Sequence, residues 1–457
     1  MTQLRRALYE AIATLLAALA TLACTRAIDA EMGPMVLAVV LCLSLSRSQL
    51  DRSLRGRIEA AVVLPLVSVA ALGVAMLLRH APIAGAAAFT LAIAASIWLR
   101  RFGPAGHKAG TLIALPFVVI LVTPYSPPRH VGPLLALALP TIVALLALFC
   151  VSVVHALGLR LGLLQAPPAR AAPAHTKPTS AMRPLPSTRM ALQMGLALAL
   201  SFAVGYGFFA ERWAWIVLTA FIVNSGSQGR LDVLYKGILR LGGAAAGTVI
   251  ALATAGLAAD PGLSAALMLG AMFMAVWLRP LGYGWWALFI TLALSLLQGE
   301  TPLLGLRLEE ILIGALIGIG AAWWLLPLDS ADVLRRRIAD ALTALSEALD
   351  PAQAERSAVP FNTGIEAIAK LAPPFRALRM ATRRWRAFQP ADWIDDLAAC
   401  QALASSLIER GETPGRVRMA VGAARKALRE PPALGPALRE LRRTLSDACA
   451  ASPPKPN

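Results

Sequence analysis

The chain has little charge, less acid than base, and no constellation of residues that supports covalent catalysis. Charged side chains make up 15% of its 457 residues and hydrophobic ones 57%, a balance far from that of a soluble domain. It therefore reads as a polytopic membrane protein. Acidic residues number 26 against 43 basic ones, a net charge of +17. Such an excess raises nucleic-acid binding first, but the basic residues are scattered between apolar runs or gathered in a C-terminal tail, as membrane topology requires. No nucleic-acid partner is expected. The five cysteines (Cys24, Cys42, Cys150, Cys400, Cys449) are odd in number and show no C-x2-C spacing, so they read as structural thiols rather than a disulfide framework or metal site. There is no G-x-S-x-G, no H-E-x-x-H and no G-x4-G-K-[ST], and the five histidines are dispersed. The chain is thus expected to be no enzyme, to hold no cofactor and to have no ATP site of its own. An ion gradient, a substrate gradient or a separate partner would have to supply energy.

What the chain does have is a sequence that reads twice over its first 328 residues. Ala30-Glu31 returns as Ala210-Glu211, Leu50-Asp51-x3-Arg55-Gly56 as Leu231-Asp232-x3-Lys236-Gly237, and Trp98-Leu99-Arg100-x2-Gly103 as Trp277-Leu278-Arg279-x2-Gly282, at shifts of 180, 181 and 179. Three landmarks in register beside long apolar runs predict duplication of a membrane unit. Arg5-Arg6 followed by an apolar run ending at Cys24 imitates a signal peptide. Because that run aligns with Ala191 to Gly207, it is expected to be the first span instead.

A bilayer core of about 30 Å calls for roughly 20 apolar residues per helix. Candidate spans fall near 8–26, 33–46, 58–78, 82–99, 110–123 and 132–157, then 190–209, 213–226, 239–258, 262–278, 284–298 and 308–326. The predicted fold class is therefore all-α: two six-helix repeats, about 12 transmembrane helices, plus a C-terminal cytoplasmic helical bundle. The domains are 1–158 (first repeat), 159–189 (a Pro/Ala-rich cytoplasmic linker), 190–328 (second repeat) and 329–457 (cytoplasmic helical domain). An even number of spans per repeat puts the pseudo-two-fold axis along the membrane normal. Arg5, Arg6, Arg47, Arg52, Arg55, Arg57, Arg100, Arg101 and Lys108 fall on one side. The other side carries Arg26 with Asp29 and Glu31, Arg79, Arg129, Glu211 with Arg212, Asp260 and Glu300. The basic excess places both termini in the cytoplasm.

After Pro327 the pattern turns amphipathic. Leu334, Ile338, Leu342, Leu345 and Leu349 mark an apolar helical stripe, and further helices are expected near 364–371, 375–388, 391–409, 414–429 and 433–449. Pro373-Pro374 should interrupt the second of these, and Gly411 should end the fourth. The arginine clusters Arg335 to Arg337 and Arg383, Arg384, Arg386 read as a solvated or lipid-headgroup-facing surface.

The polar signals concentrate in the second repeat. The apolar stretches Pro34 to Leu45 and Trp213 to Val223 are too short to span and occupy corresponding positions. Short spans at matching places mark a transporter's central site, or else tilted helices whose ends lie among headgroups. Asn224-Ser225-Gly226-Ser227-Gln228 follows the second one. Asp232, Lys236 and Arg240 come next at i, i+4, i+8 on one helix face. That face is an ion ladder at the membrane boundary, or a source of positive charge for an anion. Gly243-x3-Gly247 permits close helix packing. Arg307 and Glu310, at i, i+3, should pair with each other or with another helix. Glu310 could instead bind and release a proton, or simply favour its helix N-terminus.

Trp215-Ile-Val-Leu-Thr219 with the polar turn, then Lys236-x3-Arg240-x2-Gly243-x3-Gly247, then Arg307-x2-Glu310-x3-Gly314 and Pro327, resembles the membrane domain of the fusaric acid resistance protein family, which includes aromatic carboxylic acid exporters. The resemblance departs at Gly243-Ala244, where Gly-Thr is familiar, and in placing the soluble helices last rather than between the halves. It implies a multi-pass protein of the bacterial inner membrane, an efflux component that works with a periplasmic adaptor. Plant anion channels are distant relatives. The expected function is efflux of small organic anions such as aromatic carboxylates, with Trp215, Thr219, Asn224, Lys236, Arg240 and Arg307 binding substrate and Asp232 and Glu310 coupling or pairing. A substrate ring would stack on Trp215 while its carboxylate meets Arg240. The alternatives are an anion channel, or a non-transporting scaffold acting through its cytoplasmic bundle. A lipid bilayer and a homo-oligomer complete the expected partners.

Overall fold

The structure, a computed structural model, describes residues 2–28, 32–47, 54–122, 132–164, 186–210, 212–254, 260–298, 304–353, 356–385, 389–412 and 414–451. The landmarks Ala30-Glu31, Glu211 and Leu50-Asp51, the loop charges Asp29, Arg52, Arg129 and Glu300, linker residues 165–185, and Arg386 lie outside them. The described residues form helices and no strand. Two compact units emerge: Met1–Gly226 with Lys236–Leu326, and Ser227–Tyr235 with Pro327–Asn457.

The first unit holds α1 (Thr2–Ile28), α2 (Met32–Arg47), α3 (Leu54–His80), α4 (Pro82–Trp98), α5 (Gly103–Val122), α6 (Pro133–Arg160), α7 (Pro186–Phe208), α8 (Trp213–Asn224), most of α9 (Arg230–Ala253), α10 (Pro261–Trp277), α11 (Tyr283–Gln298) and α12 (Leu304–Trp324). Seven stretches, in α1, α3, α4 with the turn after it, α5, α6, α7 and α9, are long and apolar enough to cross a membrane. The apolar parts of α2, α8, α10 and α11 are shorter, and α12 carries Arg307, Glu309 and Glu310 in its first two turns. Among the described residues, length and composition alone therefore identify seven of the twelve spans expected.

Packing within this unit repeats itself. α1 lies against α2 and α6, and α2 against α6; in the same order α7 lies against α8 and α12, and α8 against α12. The contact of α4 with α5 recurs as α10 with α11. Across the chain, α1 packs on α10 and α4 packs on α7. The Trp98 and Trp277 landmarks fold alike as well. Each closes its helix, enters a 3-10 turn (Leu99–Phe102, Arg279–Leu281) and turns back through a glycine with positive φ, Gly103 at +80° and Gly282 at +152°. A side chain is strained at such φ, which accounts for glycine at both places. Phe89 of α4 stands edge-on to Phe117 of α5 and Phe202 of α7, with centroids 5.8 and 5.6 Å apart, fastening the three helices together.

Small residues bring the later helices closest. A Cβ on Gly314 of α12 would collide with the carbonyl of Ile216 on α8, and one on Gly247 of α9 with the carbonyl of Leu288 on α11. Gln193 of α7 donates from Nε2 to the Leu325 and Leu326 carbonyls at 2.8 and 3.3 Å, satisfying acceptors left over where α12 ends.

The second unit is a helical bundle of α13 (Ser330–Ala348), α14 (Val359–Ala369), α15 (Ala372–Thr382), α16 (Pro390–Glu409), α17 (Gly415–Ala427) and α18 (Pro431–Ala451). Asp329 caps α13, its carboxylate accepting from the Ala331 amide at 2.9 Å. The stripe Leu334, Ile338, Leu342, Leu345 and Leu349 is wholly buried in the bundle core, with Phe361, Phe375 and Trp393 around it. Pro373 and Pro374 sit in the first turn of α15, where proline lacks no hydrogen bond that the helix could have made. The segment 227–235 joins this unit through specific bonds. Arg230 pairs with Asp329 at 3.0 Å, the Leu231 amide donates to Ser330 Oγ at 3.0 Å, and Leu231 packs on the core.

Arg379 of α15 grips Asp392 and Asp395 of α16 at 2.7 and 2.8 Å, and Arg376 donates to Asp395 at 2.7 Å. Burial works to raise the Asp395 carboxyl, but the bonds from Arg376 and Arg379 prevail and hold it below the usual range. A depressed carboxylate stabilises the fold above its unfolded value and loses that contribution as pH falls through its folded value. Amide exchange in α15 should therefore stay slow down through about pH 4, the unfolded Asp range, and quicken only below it. Asp395→Asn should make exchange in α15 faster at neutral pH and remove that dependence. In the first unit, Gly314→Val should cost about 1–3 kcal/mol of unfolding free energy in detergent, whereas Gly305→Ala, with nothing near its added carbon, should cost far less.

Candidate functional site

Helix period decides which side chains meet here. Arg307, Glu310 and Gly314 stand at i, i+3, i+7, one face of α12, and Gly314 brings that face against α8. The guanidinium of Arg307 accordingly lies over the Trp215 ring, 4.0 Å from its centroid. Glu310, one turn on, is 1% exposed and forms an ion pair with Arg212, Nε to Oε1 at 3.3 Å, just before α8 begins. Gly318 closes the same seam, under the Asn224 side chain.

The same logic orients α9. Arg240, Gly243 and Gly247 share a face that the two glycines bring against α11. Arg240, also 1% exposed, donates from Nη1 to Thr291 Oγ1 at 3.2 Å, while its Nε has no hydrogen-bond partner among the described residues. One turn along α11, Ser295 Oγ accepts Arg307 Nη1 at 2.8 Å and itself donates to the Thr291 carbonyl at 2.8 Å. Two buried arginines from two helices thus rest on hydroxyls of a third, about 6 Å apart along its axis at 1.5 Å per residue.

The candidate residues therefore divide. Trp215, Arg307 and Glu310 gather at the α8–α12 seam, and Arg240 reaches the same α11 hydroxyl pair from α9. Thr219 is fully buried in α8, its hydroxyl with no hydrogen-bond partner among the described residues. Asn224 donates to Ala220 of its own helix at 3.0 Å, and Lys236 is half-buried. Asp232 lies in the second unit, where it accepts the Gln228 amide at 3.1 Å. One face of Trp215 is covered by Arg307, and Arg240 meets Thr291 rather than that indole. Thr291, Ser295 and Arg212 were missed by the sequence reading. The first two were visible as hydroxyls at i, i+4 in an apolar helix; Arg212 was visible only as a loop charge.

These features define an all-helical, multi-pass membrane protein whose apolar interior contains paired and hydroxyl-bound arginines. Residues 196–321 match the family profile described as fusaric acid resistance protein-like. The stretch contains Trp215, Arg240, Arg307, Glu310 and Gly314, on which the sequence resemblance was drawn; Pro327 lies beyond it. The chain is also similar to uncharacterized protein YhfK of Escherichia coli (strain K12), 29% identical over 176 residues, which is 36% of this chain and 24% of that relative. It thus spans about a quarter of the curated relative's length.

Thr291→Val removes the one hydroxyl that Arg240 uses and should cost about 1–3 kcal/mol in unfolding experiments. Thr248→Val should be neutral or stabilising, because the Thr248 hydroxyl is buried with no hydrogen-bond partner among the described residues.

Proposed function

We propose that this protein is an inner-membrane transporter for small organic anions such as aromatic carboxylates, carried from the cytoplasm toward the periplasm. Arg240 is the observation behind this reading. A guanidinium does not deprotonate in proteins, and a charge inside a membrane unit is kept where it pairs or works. Arg240 is 1% exposed, makes no ion pair among the described residues, and its Nε has no hydrogen-bond partner among them. A carboxylate entering there would receive a charge-assisted bond from Nε and neutralise the buried charge. Arg307, backed by Trp215 and Ser295, offers a second cation one turn along α11.

The twelve-span, two-repeat arrangement belongs to this proposal, with both termini in the cytoplasm. It is supported by the repeated packing and by the reciprocal α1–α10 and α4–α7 contacts, since a two-fold axis requires each contact to occur twice. The register that aligns Leu50-Asp51 with Leu231-Asp232 sets Glu59 opposite Arg240. Glu59 of α3 is bound to Lys108 of α5 at 2.6 Å. The first copy thus balances its charge at the helix pair matching α9 and α11, and the second leaves a positive charge for a substrate to balance.

In vesicles loaded with an aromatic carboxylate, Arg240→Ala should lower flux by about tenfold or more, the factor that 1.4 kcal/mol represents. Arg240→Lys should recover part of it, and Glu59→Gln should leave it within about twofold. Equal flux through the native protein and Arg240→Ala would remove this reading.

A further inference from the structure

Among the described residues of α13 to α18 and their connections, the aromatic side chains are buried with one exception. Phe361, Phe375 and Trp393 are at most 4% exposed, whereas Trp385 is 84% exposed. Met380, one turn earlier, is 78% exposed. Met380 lies in the last turn of α15 and Trp385 in the turn that follows; the start of the helix buries Phe375 in the core. Two exposed arginines, Arg383 and Arg384, stand between them at i+3 and i+4 from Met380. Neither makes an ion pair among the described residues, unlike Arg376 and Arg379 on the same helix, which are bound to Asp392 and Asp395. The arginines earlier in the helix are neutralised and those at its end are not.

We propose that the end of α15, with Met380, Arg383, Arg384 and Trp385, docks on an anionic phospholipid surface. Indole rings favour the interface because one edge is apolar and the N–H seeks a wet acceptor. Guanidinium groups meet phosphate oxygens bidentately, and basic segments beside a bilayer are drawn to its anionic lipids. The patch offers both chemistries side by side with no acid among its four residues. A protein that crosses the bilayer has that surface permanently within reach. The platform is held in shape before docking. The fork from Arg379 ties α15 to α16, the Trp385 amide donates to the Thr382 carbonyl at 2.9 Å, and Gln389 Nε2 donates to Thr382 Oγ1 at 3.4 Å. Docking would therefore order little beyond the side chains themselves, and it is independent of what the membrane unit carries.

The test uses the full chain in nanodiscs of phosphatidylcholine alone or mixed with phosphatidylglycerol, each with ordinary or brominated acyl chains. Subtracting the fluorescence of Trp385→Phe from that of the native protein isolates the Trp385 signal. In discs containing phosphatidylglycerol that signal should be blue-shifted, and brominated chains should quench it about twofold or more. Quenching should be weaker in phosphatidylcholine alone and lost in the double variant Arg383→Glu/Arg384→Glu. These side chains are solvent-facing, so the variant should unfold at the native temperature. An unshifted, unquenched signal in the anionic discs would overturn the proposal. So would quenching that survives the double variant, or a blue shift that depends on protein concentration and not on lipid charge, which would mark a protein interface.

Discussion

A guanidinium buried among apolar helices imposes the constraint on which the interior of the first unit depends. Arg240 cannot shed its charge, so the helices around it must supply acceptors or leave an opening for one. They supply one neutral hydroxyl, Thr291, and leave Nε unused. The geometry that follows is specific. Gly243 and Gly247 let α9 approach α11 closely enough for the contact, and Thr291 then shares its helix turn with Ser295, which holds Arg307. Gly314 in turn lets α12 lie against α8, so that Arg307 covers Trp215 and Glu310 receives Arg212. Close packing by small residues and the placement of charge are one arrangement, because long side chains at the glycines would push each arginine away from its hydroxyl.

The two halves of the membrane unit use the same helix contacts for different ends. Where α3 meets α5, an acid and a base meet and cancel. At the matching helix pair α9 and α11, a base meets a hydroxyl. Under the proposed transport of anions, the balanced pair would stabilise the frame, and the unbalanced one would acquire its missing charge from the substrate. α9 also begins in the second unit, anchored by Arg230 and Leu231, and carries Arg240 further along the same helix.

Much of this was legible in the sequence, for identifiable reasons. Apolar runs gave the helices of the first unit, because burial in lipid or core selects them without regard to partners. The heptad-like stripe from Leu334 to Leu349 gave α13, and Pro373-Pro374 gave the break before α15. Gly243-x3-Gly247 and Arg307-x2-Glu310-x3-Gly314 could be read as packing and charge faces because helix period alone fixes which residues share a face. Partners could not be read that way. Glu310 meets Arg212, nearly a hundred positions away, and Arg240 on α9 meets Thr291 on α11, with all of α10 between them in sequence. Nor could the sequence show that 227–235 folds with the C-terminal bundle, since the bonds from Arg230 and Leu231 to Asp329 and Ser330 exist only in three dimensions. Five helices fall short of the length or composition of a simple span, so the sequence count of twelve rests on the repeat rather than on hydropathy.

The claim that Arg240 awaits an anion is tested most directly by a structure of the full chain in lipid with an iodinated benzoate, whose iodine locates the ligand by anomalous scattering. The expected result is a carboxylate within hydrogen-bonding distance of Arg240 Nε, beside Thr291. A bound ligand elsewhere in the protein, with Arg240 still resting on Thr291 alone, would contradict it.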